Sequence, residues 1–209
     1  ILVCRKHSGM AVQSARIGQM DLESELKNYR KGKYIGIVQR LDQPVEGILV
    51  FGKTPQATAA LNKQHQNGAM KKEYLAVFTG TPAKEARGTW EDYLVKDGKT
   101  NTSRVTGKQD RLAKKAVLSY EILDWKKDRG LAKIQLGTGR HHQIRVQMAH
   151  HGMPLWADGK YKKKEELLEE EQGTAIGLCA WRLEFAHPKI GKKMKFEVQP
   201  EGVCFRDFL

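Results

Sequence analysis

Gly36-Ile-Val-Gln-Arg-Leu-Asp-Gln-Pro-Val-Glu-Gly-Ile-Leu-Val-Phe-Gly-Lys-Thr54 sets a charged loop between two apolar runs. Ile35–Val38 and Ile48–Phe51 have strand length and β-branched content, and each is apolar throughout, as expected of strands buried on both faces. The loop between them carries Arg40 and Asp42 on either side of Leu41, and then Pro44 and Gly47, which end one strand and permit a turn before the next. Charges held between buried strands must be solvated, paired or used. A loop on a rigid scaffold is a common seat of function, although a plain turn also accounts for an exposed Arg and Asp.

The chain around this stretch predicts a mixed architecture. Ile1–Cys4 reads as an edge strand, left through a turn at Lys6–Met10 in which Gly9 is free to take positive φ. Gln19–Arg30 has helical spacing at Met20, Leu22, Leu26 and Tyr29, with Gly32 as a stop. Thr54-Pro55 is an N-cap followed by proline in the first turn, and Gly68 ends the helix that follows. Glu73–Thr79 is expected to be a central strand, with Tyr74, Ala76 and Phe78 on one face. Lys84–Lys115 shows the least pattern, with Trp90–Val95 one possible strand and Asp97-Gly98 a turn signal. Ala116–Trp125 and Leu131–Leu136 read as an antiparallel pair joined at Lys126–Gly130. His142–His151 fits a short helix closed by Gly152, and Lys162–Gln172 is a charge run expected to be solvated. Ala180–Ala186 and Lys195–Val198 are two closing strands. The sum is one mixed α/β (α+β) domain over residues 1–209.

Charge narrows the partner. The chain has 37 Lys and Arg against 24 Asp and Glu, a net +13, which points to a polyanion and above all to nucleic acid. A membrane surface is the weaker reading, because no long basic amphipathic helix is evident and no apolar run is long enough to span a bilayer. Three widely spaced cysteines suggest neither a disulfide framework nor a zinc site, and so a reducing, cytoplasmic setting.

A second concentration of chemistry lies at Gly139-Arg-His-His-Gln-Ile-Arg145. His141, His142, His150 and His151 raise the question of a metal. No carboxylate or cysteine stands at ligand spacing beside them, so the expectation is polar anchoring or RNA contact and no metal.

Together these residues resemble the RluA-type pseudouridine synthases. Arg40-Leu41-Asp42 with Gly47 is similar to that family's catalytic-aspartate motif. Gly139-Arg140-x-His142-Gln143-Ile144-Arg145-Val146 is similar to its second motif, trailed by Gly152-x-Pro154-Leu155 and Asp158-x-x-Tyr161. Lys72, Tyr74 and Ala76 before Gly80 match the strand that carries its active-site tyrosine. Lys6–Gly9 and Ala180–His187 resemble its opening turn and its C-terminal strand. Gln39, Glu46, His7 and Gln147 depart from the family's usual residues around these motifs.

The resemblance implies the pseudouridine synthase fold, a largely antiparallel mixed sheet flanked by helices and loops, with no S4-type RNA-binding domain in view. It implies isomerisation of uridine in structured rRNA or tRNA by a monomer, without cofactor or metal. Asp42 is then the catalytic carboxylate, acting on the ribose as nucleophile or as base. Arg145, if it reaches Asp42, keeps it ionised and oriented. Tyr74 offers a ring to the base and a hydroxyl to the reacting centre. Arg40 fills the space left when the uridine leaves the stack. Leu41, Arg140, His142 and Gln143 complete the substrate-binding set. Two rival readings stand beside this one: a non-catalytic RNA-binding or assembly factor that retains the fold, and a hydrolase pairing Asp42 with His141 or His142. The second lacks a nucleophile-elbow pattern and a second acid.

Overall fold

The structure, a computed structural model, describes residues 1–14 and 18–209. In chain order its elements are β1 (Leu2–Lys6), α1 (Leu22–Tyr29), β2 (Gly36–Ile37), β3 (Glu46–Gly52), α2 (Pro55–Gln66), β4 (Lys71–Thr79), β5 (Arg87–Asp97), β6 (Thr102–Thr106), β7 (Lys114–Lys126), β8 (Arg129–Leu136), α3 (Gln143–His150), β9 (Leu178–Ala186) and β10 (Lys193–Glu197). They fall into two units, Ile1–Glu73 with Cys179–Pro200 and Tyr74–Leu178 with Glu201–Leu209. Strand pairing is mostly antiparallel, as expected of a mixed α/β sheet. No helix among the described residues is long and apolar enough to cross a membrane.

In the first unit β3 is the centre. All seven of its residues are buried, which is why the stretch Ile48–Phe51 reads as continuously apolar. It pairs antiparallel with β1 and β2, and parallel with β9 through Glu46↔Cys179 and Gly47↔Ala180. Val38, Ile48, Val50, Leu61, Met70, Leu183 and Phe185 form one apolar cluster. Val12, Leu22, Leu26, Ile35, Leu49 and Phe51 form another. Gly47 permits the parallel contact: its φ is +130°, and a Cβ there would lie 2.4 Å from the Ala180 carbonyl oxygen.

Local signals set the helix boundaries. Asp21 accepts from the Ser24 amide, so α1 starts at Leu22 and not at Gln19. Thr54 Oγ1 accepts from the Ala57 amide at 3.2 Å, as the Thr-Pro start predicts. The first apolar run, in contrast, supplies only the two residues of β2. Lys72, which by sequence is either a phosphate contact or a solubilising charge, is only half-exposed, and burial pushes its ammonium down to about 8.

The second unit runs β4-β8-β7-β5-β6. β7 alternates buried Ala116, Leu118 and Tyr120 with more exposed neighbours, the half-exposed pattern read from the sequence. The stretch expected to be least ordered is instead the long hairpin β5–β6, paired from Tyr93↔Thr106 to Asp97↔Thr102. Its charged, glycine-containing sequence hides the strands because much of β5 faces solvent and needs no apolar run.

The charge run at 162–172 is solvated over most of its length, as expected, but not at Lys162 and Glu171. Lys162 and Glu171 have side chains only 2% and 0% exposed and form an ion pair at 2.6 Å. Glu171 Oε2 also accepts from the Leu168 amide at 2.9 Å. Linear composition cannot separate a solvated charge run from one that folds a single cation back onto a single acid.

Such a pair is expected to be costly to break from one side. Lys162→Met leaves Glu171 buried without its counter-ion and should lower unfolding free energy by about 3 kcal/mol or more in denaturant titrations. Lys162→Met combined with Glu171→Gln, which keeps an acceptor for the Leu168 amide, should recover more than half of that loss. Additive losses would show that the two charges are independent.

Candidate active site

Asp42 sits in a loop held from below by the turn that follows β1. Val45 N–H donates to the Asp42 carbonyl at 3.0 Å, closing a tight turn over Gln43-Pro44. Residues 8 and 9 clasp that turn: Gly9 N–H donates to the Gln43 carbonyl at 2.9 Å, Gln43 Nε2 to the Gly9 carbonyl at 2.9 Å, and Ser8 Oγ to the Pro44 carbonyl at 2.7 Å. Gly9 has φ +83°, the conformation expected of it.

Beneath the clasp lies Lys6, which is fully buried. Its Nζ donates to the carbonyls of His7, Met10 and Gln43 at 2.9, 2.7 and 3.0 Å, so all three ammonium hydrogens are used. Burial pushes this amine from an ordinary 10.5 down to about 8, while the negative charges of Asp42 and Glu46 pull it back up. It is therefore charged at neutral pH. Glu46 is itself buried and paired with Arg5 at 2.9 Å. Sequence reading gave Lys6 only a place in a turn; its burial becomes visible once β1 pairs with β3 through Lys6↔Gly47.

The neighbours of Asp42 face differently. Leu41 packs half-buried against the Val12, Leu22, Leu49 and Phe51 cluster and so anchors the loop. Arg40 is exposed, and its Nη2 donates to Gln13 Oε1 at 3.0 Å.

In the second unit the start of α3 collects the other candidates. His142 is the N-cap, with φ +53°, and makes no side-chain cap bond. Gln143 instead ties down the turn that precedes the helix. Its Oε1 accepts from Thr138 Oγ1 at 2.8 Å and from the Arg140 amide at 2.9 Å, and its Nε2 donates to the Val117 carbonyl at 3.0 Å. Three of its four hydrogen-bonding positions are thereby committed to the fold. Arg140 is exposed at the same turn and donates from Nε to the Lys115 carbonyl at 2.8 Å. His142 Nδ1 shares a hydrogen bond with Tyr161 Oη at 2.7 Å, and that hydroxyl also accepts from the Ser103 amide at 2.8 Å.

Arg145 is 4% exposed and is clamped by Asp158. Nε donates to Oδ2 at 2.8 Å and Nη2 to Oδ1 at 2.6 Å, a bidentate fork, with the guanidinium carbon 5.2 Å from the centre of the Tyr161 ring. Asp158, 1% exposed, was visible in the sequence only as part of a trailing motif with no role. Its distance from Arg145 along the chain gives no helical or strand register that would pair them. Tyr74 lies on β4, 6% exposed, in a run from Tyr74 to Thr79 that is buried throughout. The strand's two faces are thus alike in burial.

Comparisons with known proteins place the chain in a family. A model of the RNA pseudouridylate synthase family matches residues 1–150. The uncharacterized RNA pseudouridine synthase YlyB of Bacillus subtilis is 31% identical over 213 residues, 98% of this chain and 68% of that protein. The ribosomal large subunit pseudouridine synthase D of Zymomonas mobilis is 30% identical, over 95% of this chain and 66% of its own length. A relative in Mycoplasma pneumoniae is 33% identical over 78% of this chain, which spans 52% of it. Among solved structures, human RNA pseudouridylate synthase domain containing 4 and domain containing 1 share the fold at TM-scores of 0.78 and 0.79, each at 19% identity and covering 95% of this chain. They cover 85% and 79% of those two chains. With its Arg-Leu-Asp loop and its Gly-Arg-x-His-Gln-Ile-Arg helix start inside the matched region, the chain belongs to the RNA pseudouridylate synthase family, in its RluA-type branch.

Proposed function

We propose that this chain isomerises uridine to pseudouridine in structured RNA, with Asp42 as the catalytic carboxylate. The observation that carries the reading is the family match over residues 1–150, which takes in Asp42, Tyr74 and Arg145 together. The names of relatives that act on the large ribosomal subunit favour ribosomal over transfer RNA. The net charge of +13 suits a phosphate-rich partner, and the setting we propose is cytoplasmic, with the chain a monomer.

The chemistry follows from the bonds exchanged. The N1–C1′ glycosidic bond breaks, the base turns, and C5 bonds to C1′; C5 gives up its proton and N1 takes one, so no electrons are gained or lost and no redox cofactor is required. Asp42 acts at the ribose, as nucleophile on carbon or as base. Tyr74 packs on the base. Arg145 supplies positive charge to the carboxylate's chemistry, and its fork on Asp158 holds the guanidinium rigid. Arg40 occupies the place of the extruded nucleotide, and Leu41, Arg140, His142 and Gln143 line the substrate.

Variants separate chemistry from binding. Asp42→Asn keeps size but removes charge, so pseudouridine formation on ribosomal RNA should be lost while RNA affinity stays equal or rises. Arg145→Lys, a point charge that cannot fork onto Asp158, should retain only weak turnover. Asp42→Asn with Arg145→Met should be no less active than either single change, because each disables the same catalytic step. Full turnover by Asp42→Asn, mapped by base-specific chemical modification of the RNA, would end the catalytic assignment.

The charge on Asp42 also has a reporter that needs no RNA. Because Asp42 favours protonated Lys6, Asp42→Asn should move the Lys6 amine below its value of about 8, measured by NMR titration of the labelled side chain. An unchanged titration would mean that the carboxylate does not face the buried ammonium.

A further inference from the structure

The far end of α3 holds a cluster that the proposed reaction does not use. Asp92 on β5 and the consecutive His150 and His151 bring one ligand atom each within 4.8 Å of one another. By sequence these histidines lack a neighbouring carboxylate; the fold supplies one from 59 residues upstream of His151.

Two of the three groups are already oriented. Asp92 Oδ2 accepts from Gln147 Nε2 at 2.7 Å and lies 3.0 Å from His151 Nε2. The His151 ring is stacked on Trp90, with centroids 4.2 Å apart and planes 9° from parallel. His150 is exposed, and its ring stands at 83° to that of His151 with centroids 5.1 Å apart. This is the pattern of a site with two ligands held by hydrogen bonding and stacking, and a third on the solvent side.

We propose that Asp92, His150 and His151 bind one divalent late transition-metal ion, of the zinc or nickel class. Two imidazoles and one carboxylate suit such borderline ions, whereas magnesium prefers an all-oxygen shell that this set does not offer. With three protein ligands and an exposed histidine, the remaining coordination positions fall to water. The ion would tie β5 to the last turn of α3, the helix whose first turns carry Gln143 and Arg145. Its role is to stabilise that helix, and it is independent of the isomerisation chemistry.

The test uses the full chain without a histidine tag. Isothermal titration with zinc chloride should give one equivalent bound and a raised melting temperature, and magnesium chloride should give neither. His150→Ala removes an exposed ligand without opening the core, and should weaken zinc binding by about tenfold or more and abolish the thermal shift. Asp92→Asn should do the same. Absence of stoichiometric zinc binding by the wild-type chain would overturn the proposal, as would His150→Ala binding zinc as tightly as the wild type.

Discussion

A buried ammonium cannot be left without acceptors, and Lys6 has met that constraint by drawing three backbone carbonyls around itself. One belongs to Gln43, the residue after Asp42. The cost of burying the charge is thus offset only if the turn after β1 and the loop before β3 keep one geometry. Removing either partner would strand the other. The clasp of Ser8, Gly9, Gln43 and Pro44 is the visible form of that requirement, and it ties the Asp42 loop to the turn after β1.

The same logic recurs in the second unit, where Arg145 and Asp158 are both buried and joined by two hydrogen bonds. Lys162 and Glu171 repeat it a few residues on. Gln143 does with an amide what these pairs do with charges. It ties down the turn that leads into α3 while His142 takes a left-handed conformation and turns its ring to Tyr161. Each device uses polar atoms to fix backbone that apolar packing alone does not hold in one geometry.

That division explains what was legible in the sequence. Elements defined by apolar pattern or local caps could be read directly: the buried run of β3, the Thr54 cap of α2, and the alternation in β7. So could the functional motifs, because the Arg-Leu-Asp loop and the Gly-Arg-x-His-Gln-Ile-Arg turn are contiguous in the chain. What stayed hidden was decided by contacts between distant residues. The β5–β6 hairpin has no apolar signature on its exposed side, Asp158 bears no register to Arg145, and the charge run conceals one buried ion pair. Asp92 reaches His151 only because β5 and α3 pack together, through the cluster that Leu94 and Ala116 form with Val146.

Isomerisation itself leaves an unambiguous trace, because C5 of the target uridine must lose its hydrogen when it becomes the glycosidic carbon. The most direct measurement is therefore tritium release from large-subunit ribosomal RNA transcribed with uridine labelled at C5, incubated with the purified chain and no added cofactor. Release approaching one tritium per modified site, with multiple turnovers per chain, is the predicted result. Tight binding of that RNA, and of transfer RNA, with no tritium released from either would contradict the catalytic reading and leave an RNA-binding protein that keeps the synthase fold.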